Sequence, residues 1–155
     1  MPHIHDKIDF TVEVFVVHGE RVLLRSHDKY KIWLGIGGHI EPDEDPNEAA
    51  IREVREEAGL EVVLVGDCPP FADSRYKELV PPRFLNRHRI SETHEHVTLT
   101  YIGRTDSGET SQGETEVSEE LRWFTMDELD DPRYELRPEV RHYAKAALQT
   151  VGSQR

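Results

Sequence analysis

Glu53, Glu56 and Glu57 follow the spacing i, i+3, i+4, in a stretch from Glu41 to Glu57 that holds eight carboxylates and two arginines, Arg52 and Arg55. At about 100° per residue of helix, this spacing sets the three carboxylates side by side on one stripe. Like charges so placed repel, and acids in a last helical turn oppose the helix dipole by roughly 0.3–1 kcal/mol each. Two readings compete: a solvated acidic face relieved by the arginines, or hard oxygen ligands whose repulsion a divalent cation converts into binding. Arg52 reaches Glu48 or Glu56 but cannot neutralise all three acids. Gly37 and Gly38 lie just upstream, where bare backbone can approach a phosphate. Together these observations favour the second reading, with magnesium and a substrate phosphate.

The wider stretch from Gly38 to Leu60 fits the Nudix box, G-x5-E-x7-R-E-U-x-E-E-x-G-U with U apolar. The match holds at every fixed position: Gly38, Glu44, Arg52, Glu53, Val54, Glu56, Glu57, Gly59 and Leu60. The chain therefore resembles the Nudix hydrolase superfamily over about a seventh of its length, and the flanking strand order is similar. The resemblance implies an α/β/α sandwich with a mixed β-sheet between helices. It implies metal-dependent hydrolysis of a diphosphate bond in a nucleoside triphosphate or a nucleoside diphosphate-linked small molecule. Glu53, Glu56 and Glu57, helped by the Gly38 carbonyl, would hold Mg2+ or Mn2+, and Glu44 with Arg52 would form a structural salt bridge. Family members draw the general base from the box or from a later loop; Glu56 or Glu57 is favoured, with Glu114, Glu116, Glu119 and Glu120 as the later candidates. Ile36 stands where the family often has proline, a difference that touches loop shape. A Nudix domain that senses a nucleotide without hydrolysing it is the alternative. Such domains commonly lose box glutamates, and this chain retains them. Isopentenyl diphosphate isomerase shares the fold but relies on a catalytic cysteine, which Cys68 does not match.

Other residues could serve the same chemistry. Arg25 closes a predicted strand, and Arg25, Arg83, Arg87 and Arg89 are candidate partners for substrate phosphates. Gly37, Gly38 and His39 are expected beside the phosphates. His94 and His96 project from one face of a strand, but zinc needs at least a third ligand and the sequence makes none evident, so a surface or pocket-lining role is expected. Tyr30, Phe71 and Phe84 could stack on a base, whereas Trp33 and Trp123 read as core. Asp43 and Asp45 alternate as in a calcium loop, but the turn glycine and distal glutamate are missing.

Positioning these groups falls to a small set of elements. Alternation in IDFTVEVFVV predicts a strand with one well-buried face, RVLLRS its hairpin partner, and KIWLG a third strand entering the glycine pair. Asp45 as cap, Pro46 at the first position, Glu48 in a capping box and Gly59 past the end bound a helix over 46–58. LEVVLVG and HVTLTYIG read as strands, LRWFTMDEL as a strand entering a helical turn, and Val140 to Val151 as a closing amphipathic helix. Residues 67–93, with two Pro-Pro pairs, and 104–118 carry no element assignment; the former could serve a homodimer interface.

With 155 residues and 36% hydrophobic content, the chain fits one domain over 1–155. A net charge of −12 opposes binding to nucleic-acid polymers and anionic membranes, and leaves a small anionic ligand in need of a cation or a local basic pocket. Cys68 is the lone cysteine, so no internal disulfide forms, and it is expected as a small packed side chain. Without a signal-like start or a spanning apolar run, a reducing, cytoplasmic setting is the expectation.

Overall fold

Period-two alternation and β-branched residues build the centre of the molecule. The computed structural model describes residues 6–27, 31–112 and 120–154. It contains β1 (Ile8–His18), β2 (Arg21–His27), β3 (Ile32–Leu34), β4 (Ile36–His39), α1 (Pro46–Ala58), β5 (Val63–Leu64), β6 (Phe84–Arg89), β7 (Glu95–Arg104), β8 (Glu120–Thr125) and α2 (Pro138–Gly152). The strands form one mixed sheet: β1 pairs in parallel with β7, and antiparallel with β2 and β4. β7 also pairs with β5 and β6, and β2 with β3 and β8.

β1 is central and therefore buried on both faces rather than one. Val12, Val14 and Val16 pack with Ile36, Tyr101 and the α1 residues Ala49, Ala50, Val54 and Ala58. Phe15 and Val17 pack on the other side with Ile102, Phe124 and the α2 residues Val140, Ala144, Ala147 and Val151. A helix on each face of a mixed sheet is the α/β/α sandwich. On the α2 side, Thr11 and Glu13 of β1 and His96 and Thr98 of β7 line an open cleft instead of packing under the helix.

The termini of α1 obey their sequence signals. The Asp45 side chain accepts from the Glu48 backbone N–H, Pro46 opens the helix, and Gly59 adopts φ 67°, its N–H closing on the Arg55 carbonyl. The Glu48 carboxylate faces Lys77 at 3.4 Å. A Cβ on Gly59 would meet Ser111 Oγ at 2.0 Å besides straining a left-handed backbone. Gly59→Ala is therefore expected to cost about 1–3 kcal/mol, read as a fall in the urea midpoint with the slope unchanged.

Three expectations are revised. The basic RFLNRHR segment, left without an element inside 67–93, is strand β6, an alternating run that pairs with β7 from Phe84↔Thr100 to Arg89↔Glu95. Charged and imidazole side chains masked its period, as expected of an edge strand. LEVVLVG forms only the two-residue β5, although Leu60, Val62 and Leu64 are buried as the pattern required. Cys68 is exposed, its thiol donating to the Glu78 carbonyl at 3.1 Å, so it is not a packed side chain.

Candidate active site

β4 runs into α1 through a loop that brings the glycine pair against the acidic stripe. Glu57 is held at both carboxylate oxygens: Arg25 Nη1 donates to Oε1 at 2.8 Å and the Gly37 N–H to Oε2 at 3.1 Å. Arg52 forks onto Glu44, with Nη2 to Oε1 at 2.6 Å and Nε to Oε2 at 2.9 Å. Its Nη1 also reaches Glu53 Oε1 at 2.8 Å and Glu56 Oε2 at 3.1 Å. The Arg52 guanidinium holds Glu44 below the ordinary carboxylate range. A further link, from Arg52 Nη2 to the His39 carbonyl at 3.0 Å, fastens helix to loop.

Burial separates the three stripe acids. Glu53 and Glu57 are buried, at 8% and 5% exposure, whereas the Glu56 side chain is 57% exposed. They are thus not three equivalent surface neighbours: the stripe turns toward β4, where Arg25 and Arg52 compensate it. Gly38 backs onto Glu53 so closely that a Cβ there would lie 2.3 Å from Oε1. An all-oxygen set made of these carboxylates and the Gly38 carbonyl would suit a hard cation such as Mg2+ or Mn2+.

A cleft of about 540 Å³ opens beside this cluster. Arg25, Gly37, Gly38 and His39 all line it, so the four expected substrate-side residues come together. Arg25 also donates to the carbonyls of Gly35 at 3.3 Å and Gly37 at 3.4 Å. Arg89 shares the lining, as do Arg137 and His88, which sequence reasoning missed. Arg83 lies over the Phe84 ring, and Arg87 pairs with Glu95.

The sequence model of the NUDIX domain matches residues 8–146. The chain belongs to the Nudix hydrolase family. A Nudix-family hydrolase from Clostridium perfringens is 35% identical, with a TM-score of 0.81 over 92% of this chain and 97% of that one. A MutT Nudix hydrolase from Burkholderia pseudomallei shares the fold at 22% identity and a TM-score of 0.61, over 94% of this chain and 98% of that one. Diphosphoinositol polyphosphate phosphohydrolase 3-alpha of Mus musculus is 50% identical over 42 residues, 26% of each chain. The 3-beta enzyme of Bos taurus is 28% identical over 111 residues, 70% of this chain and 57% of that one. The chain thus spans about a quarter of the mouse protein and somewhat over half of the bovine one.

Within this Nudix fold the remaining candidates sort by position. Glu114, Glu116, Glu119 and Tyr30 lie outside the described residues, and Glu120 is exposed on β8. Phe71 packs on Tyr76 and Phe84 stacks on Tyr143. Trp33 packs edge-on against Phe124, and Trp123 donates to the Gly108 carbonyl at 3.0 Å. His96 is held below its ordinary pKa by burial and by the neighbouring His39, His88 and His94. No helix among the described residues is long and apolar enough to cross a membrane.

Glu13 lines this cleft and was not singled out from sequence, because the alternation of the strand sets it on the face opposite the buried valines. Burial pushes its pKa from 4.5 to about 7, against the pull of Arg25. Unfolded, this group ionises near its ordinary value, so folding is favoured most below that value and the advantage is lost as pH rises to about 7. Glu13→Gln removes the dependence. At about pH 8 the variant should be more stable than the parent by about 3 kcal/mol, with the difference vanishing near pH 4 in parallel thermal melts.

Proposed function

We propose that this Nudix protein is a metal-dependent hydrolase of a diphosphate bond in a nucleoside triphosphate or a nucleoside diphosphate-linked small molecule. The observation that carries the reading is the pairing of two buried, oriented carboxylates, Glu53 and Glu57, with the Gly37–Gly38 backbone at the mouth of a cleft lined by cations. Glu53, Glu56, Glu57 and the Gly38 carbonyl would hold Mg2+ or Mn2+, which when bound neutralises phosphate oxygens and acidifies water. The chain's own residues do the rest. Arg25 and the Gly37 N–H fix the direction of Glu57, and Arg52 ties Glu44, Glu53 and Glu56 into one frame. Glu56, the solvent-reaching member, takes the proton from the attacking water. Bare backbone at Gly37 and Gly38 and the imidazole of His39 receive the phosphates, while Arg89 and Arg137 attract the remainder of an anionic substrate.

A non-nucleotide diphosphate is the second reading, favoured by the similarity to the diphosphoinositol polyphosphate phosphohydrolases and by the cationic lining of the cleft. Both readings use one domain over 1–155, a reducing cytoplasmic setting and no polymeric nucleic acid. The edge strand β6, with Leu85 exposed, is the surface on which a second copy would form a homodimer.

The test is a screen of the purified chain with Mg2+ or Mn2+ against nucleoside di- and triphosphates, nucleotide sugars, dinucleoside polyphosphates and diphosphoinositol polyphosphates, following release of phosphate and pyrophosphate. Turnover that needs the metal is expected. Tight nucleotide binding with no hydrolysis of any compound would replace the enzyme by the sensing domain.

A further inference from the structure

The imidazoles left over from the Nudix chemistry converge on one carboxylate. Asp9, His94 and His96 each offer a ligand atom, and these atoms lie within 4.8 Å of one another. Asp9 is paired with His96 across the parallel β1–β7 ladder, and His94 precedes His96 by two residues, on the same side. His94 Nε2 lies 3.0 Å from Asp9 Oδ2, and His39 Nε2, at the end of β4, approaches the same oxygen from the other flank at 3.4 Å. Ring centroids of His39 and His94 stand 5.1 and 5.2 Å from that of His96.

Two ligand atoms, each about 2.0–2.1 Å from a tetrahedral ion, stand roughly 3.3–3.4 Å apart. The His94–Asp9 separation of 3.0 Å lies just under that value, and the His96 ligand atom stands within 4.8 Å of both, without any change of strand register. The donor set is also wrong for the ion of the Nudix box. Imidazole nitrogens with a single carboxylate suit zinc and its neighbours, whereas magnesium takes oxygen ligands and keeps its waters. Two observations tell this cluster from a simple ion pair: a third side chain, His96 of β7, stands opposite Asp9 of β1, and Asp9, at 41% exposure, leaves a solvent side for entry and for a bound water.

We propose that Asp9, His94 and His96 form a second metal site that binds a borderline divalent ion of the zinc class. It is separate from the carboxylate cluster of α1 and independent of which diphosphate the enzyme cleaves. The ion would clamp β1 and β7 together at the rim of the cleft.

Titration of the intact protein with Co2+ as a spectroscopic stand-in for Zn2+, in excess Mg2+ to occupy the Nudix box, tests the site. One equivalent should bind with the visible absorption of nitrogen-ligated, four- or five-coordinate cobalt. The His94→Ala/His96→Ala double variant should lose at least about 100-fold in Co2+ affinity, more than removal of an outer partner alone costs. Asp9→Asn, which keeps shape on an exposed side chain, serves if the double variant folds poorly, and should weaken Co2+ by at least about tenfold. Independently of any variant, Zn2+ should shift the imidazole resonances of His94 and His96. Cobalt binding unchanged in both variants, absorption typical of octahedral oxygen ligation, or imidazole signals unmoved by Zn2+ would each overturn the proposal. Because every readout is binding, a chain inactive on all diphosphates would refute the proposed function and leave this test standing.

Discussion

Glu57→Gln is expected to lower turnover on the order of 10³-fold, about 4 kcal/mol of transition-state stabilisation, while the protein stays folded. The substitution keeps the volume of a side chain that is 5% exposed, so no cavity forms. It removes one negative charge from the ligand set and presents an amide N–H₂ where a carboxylate oxygen now accepts from the Gly37 N–H. The amide can still turn its oxygen to Arg25 or to Gly37, but not to both, and either choice leaves one donor facing another. The metal requirement should therefore move as well: the Mg2+ concentration for half-maximal rate rises along with the fall in kcat. Initial rates across a Mg2+ series, beside circular dichroism spectra of both proteins, check this. Full activity in Glu57→Gln at the parent's Mg2+ requirement would remove Glu57 from the ligand set.

The elements that carry this cluster were legible because each is announced locally. Asp45, Pro46 and Gly59 mark the ends of α1 through hydrogen bonds and dihedrals that involve only near neighbours. The same locality explains why the Glu44–Arg52 bridge was foreseeable: both ends lie inside one fixed-spacing motif. What escaped is what the sheet assembles from afar. Glu57 meets Arg25 across 32 residues and Asp9 meets His94 across 85, contacts that depend on strand order and the parallel β1–β7 register. Asp9 stays hidden beside His94 and His96 for that reason. β6 was hidden differently, since most of its residues, Leu85 included, are exposed and leave no apolar face to read. The unequal burial of Glu53, Glu56 and Glu57 likewise depends on how the stripe is turned toward β4, which helical spacing alone leaves open.

The two box glycines, adjacent in sequence, should fail in different ways when each is replaced by alanine. At Gly37 an added Cβ would stand 2.0 Å from the Val12 carbonyl oxygen and 2.9 Å from Glu13 Cα, both backbone atoms of β1. That strand cannot retreat: β7 pairs along it from Ile8 to Val17, and the same face of its backbone already seats β4. Relief would have to come from unseating β4, so Gly37→Ala is expected to cost about 3 kcal/mol or more, at the upper end for overpacking. At Gly38 the new Cβ would instead meet the Glu53 carboxylate, at 2.3 Å from Oε1 and 2.7 Å from Cδ. A carboxylate end can rotate away, with about 1 kcal/mol lost for an off-rotamer side chain. Rotation takes Glu53 out of the ligand set and off Arg52, so Gly38→Ala should keep nearly the parent's melting temperature yet lose about 100-fold or more in turnover. Paired thermal melts and metal-dependent rates on the two variants separate the outcomes. A Gly37→Ala protein as stable as the parent would mean that β4 does not sit against β1 in this register, and an active Gly38→Ala protein would mean that Glu53 does no work on the metal.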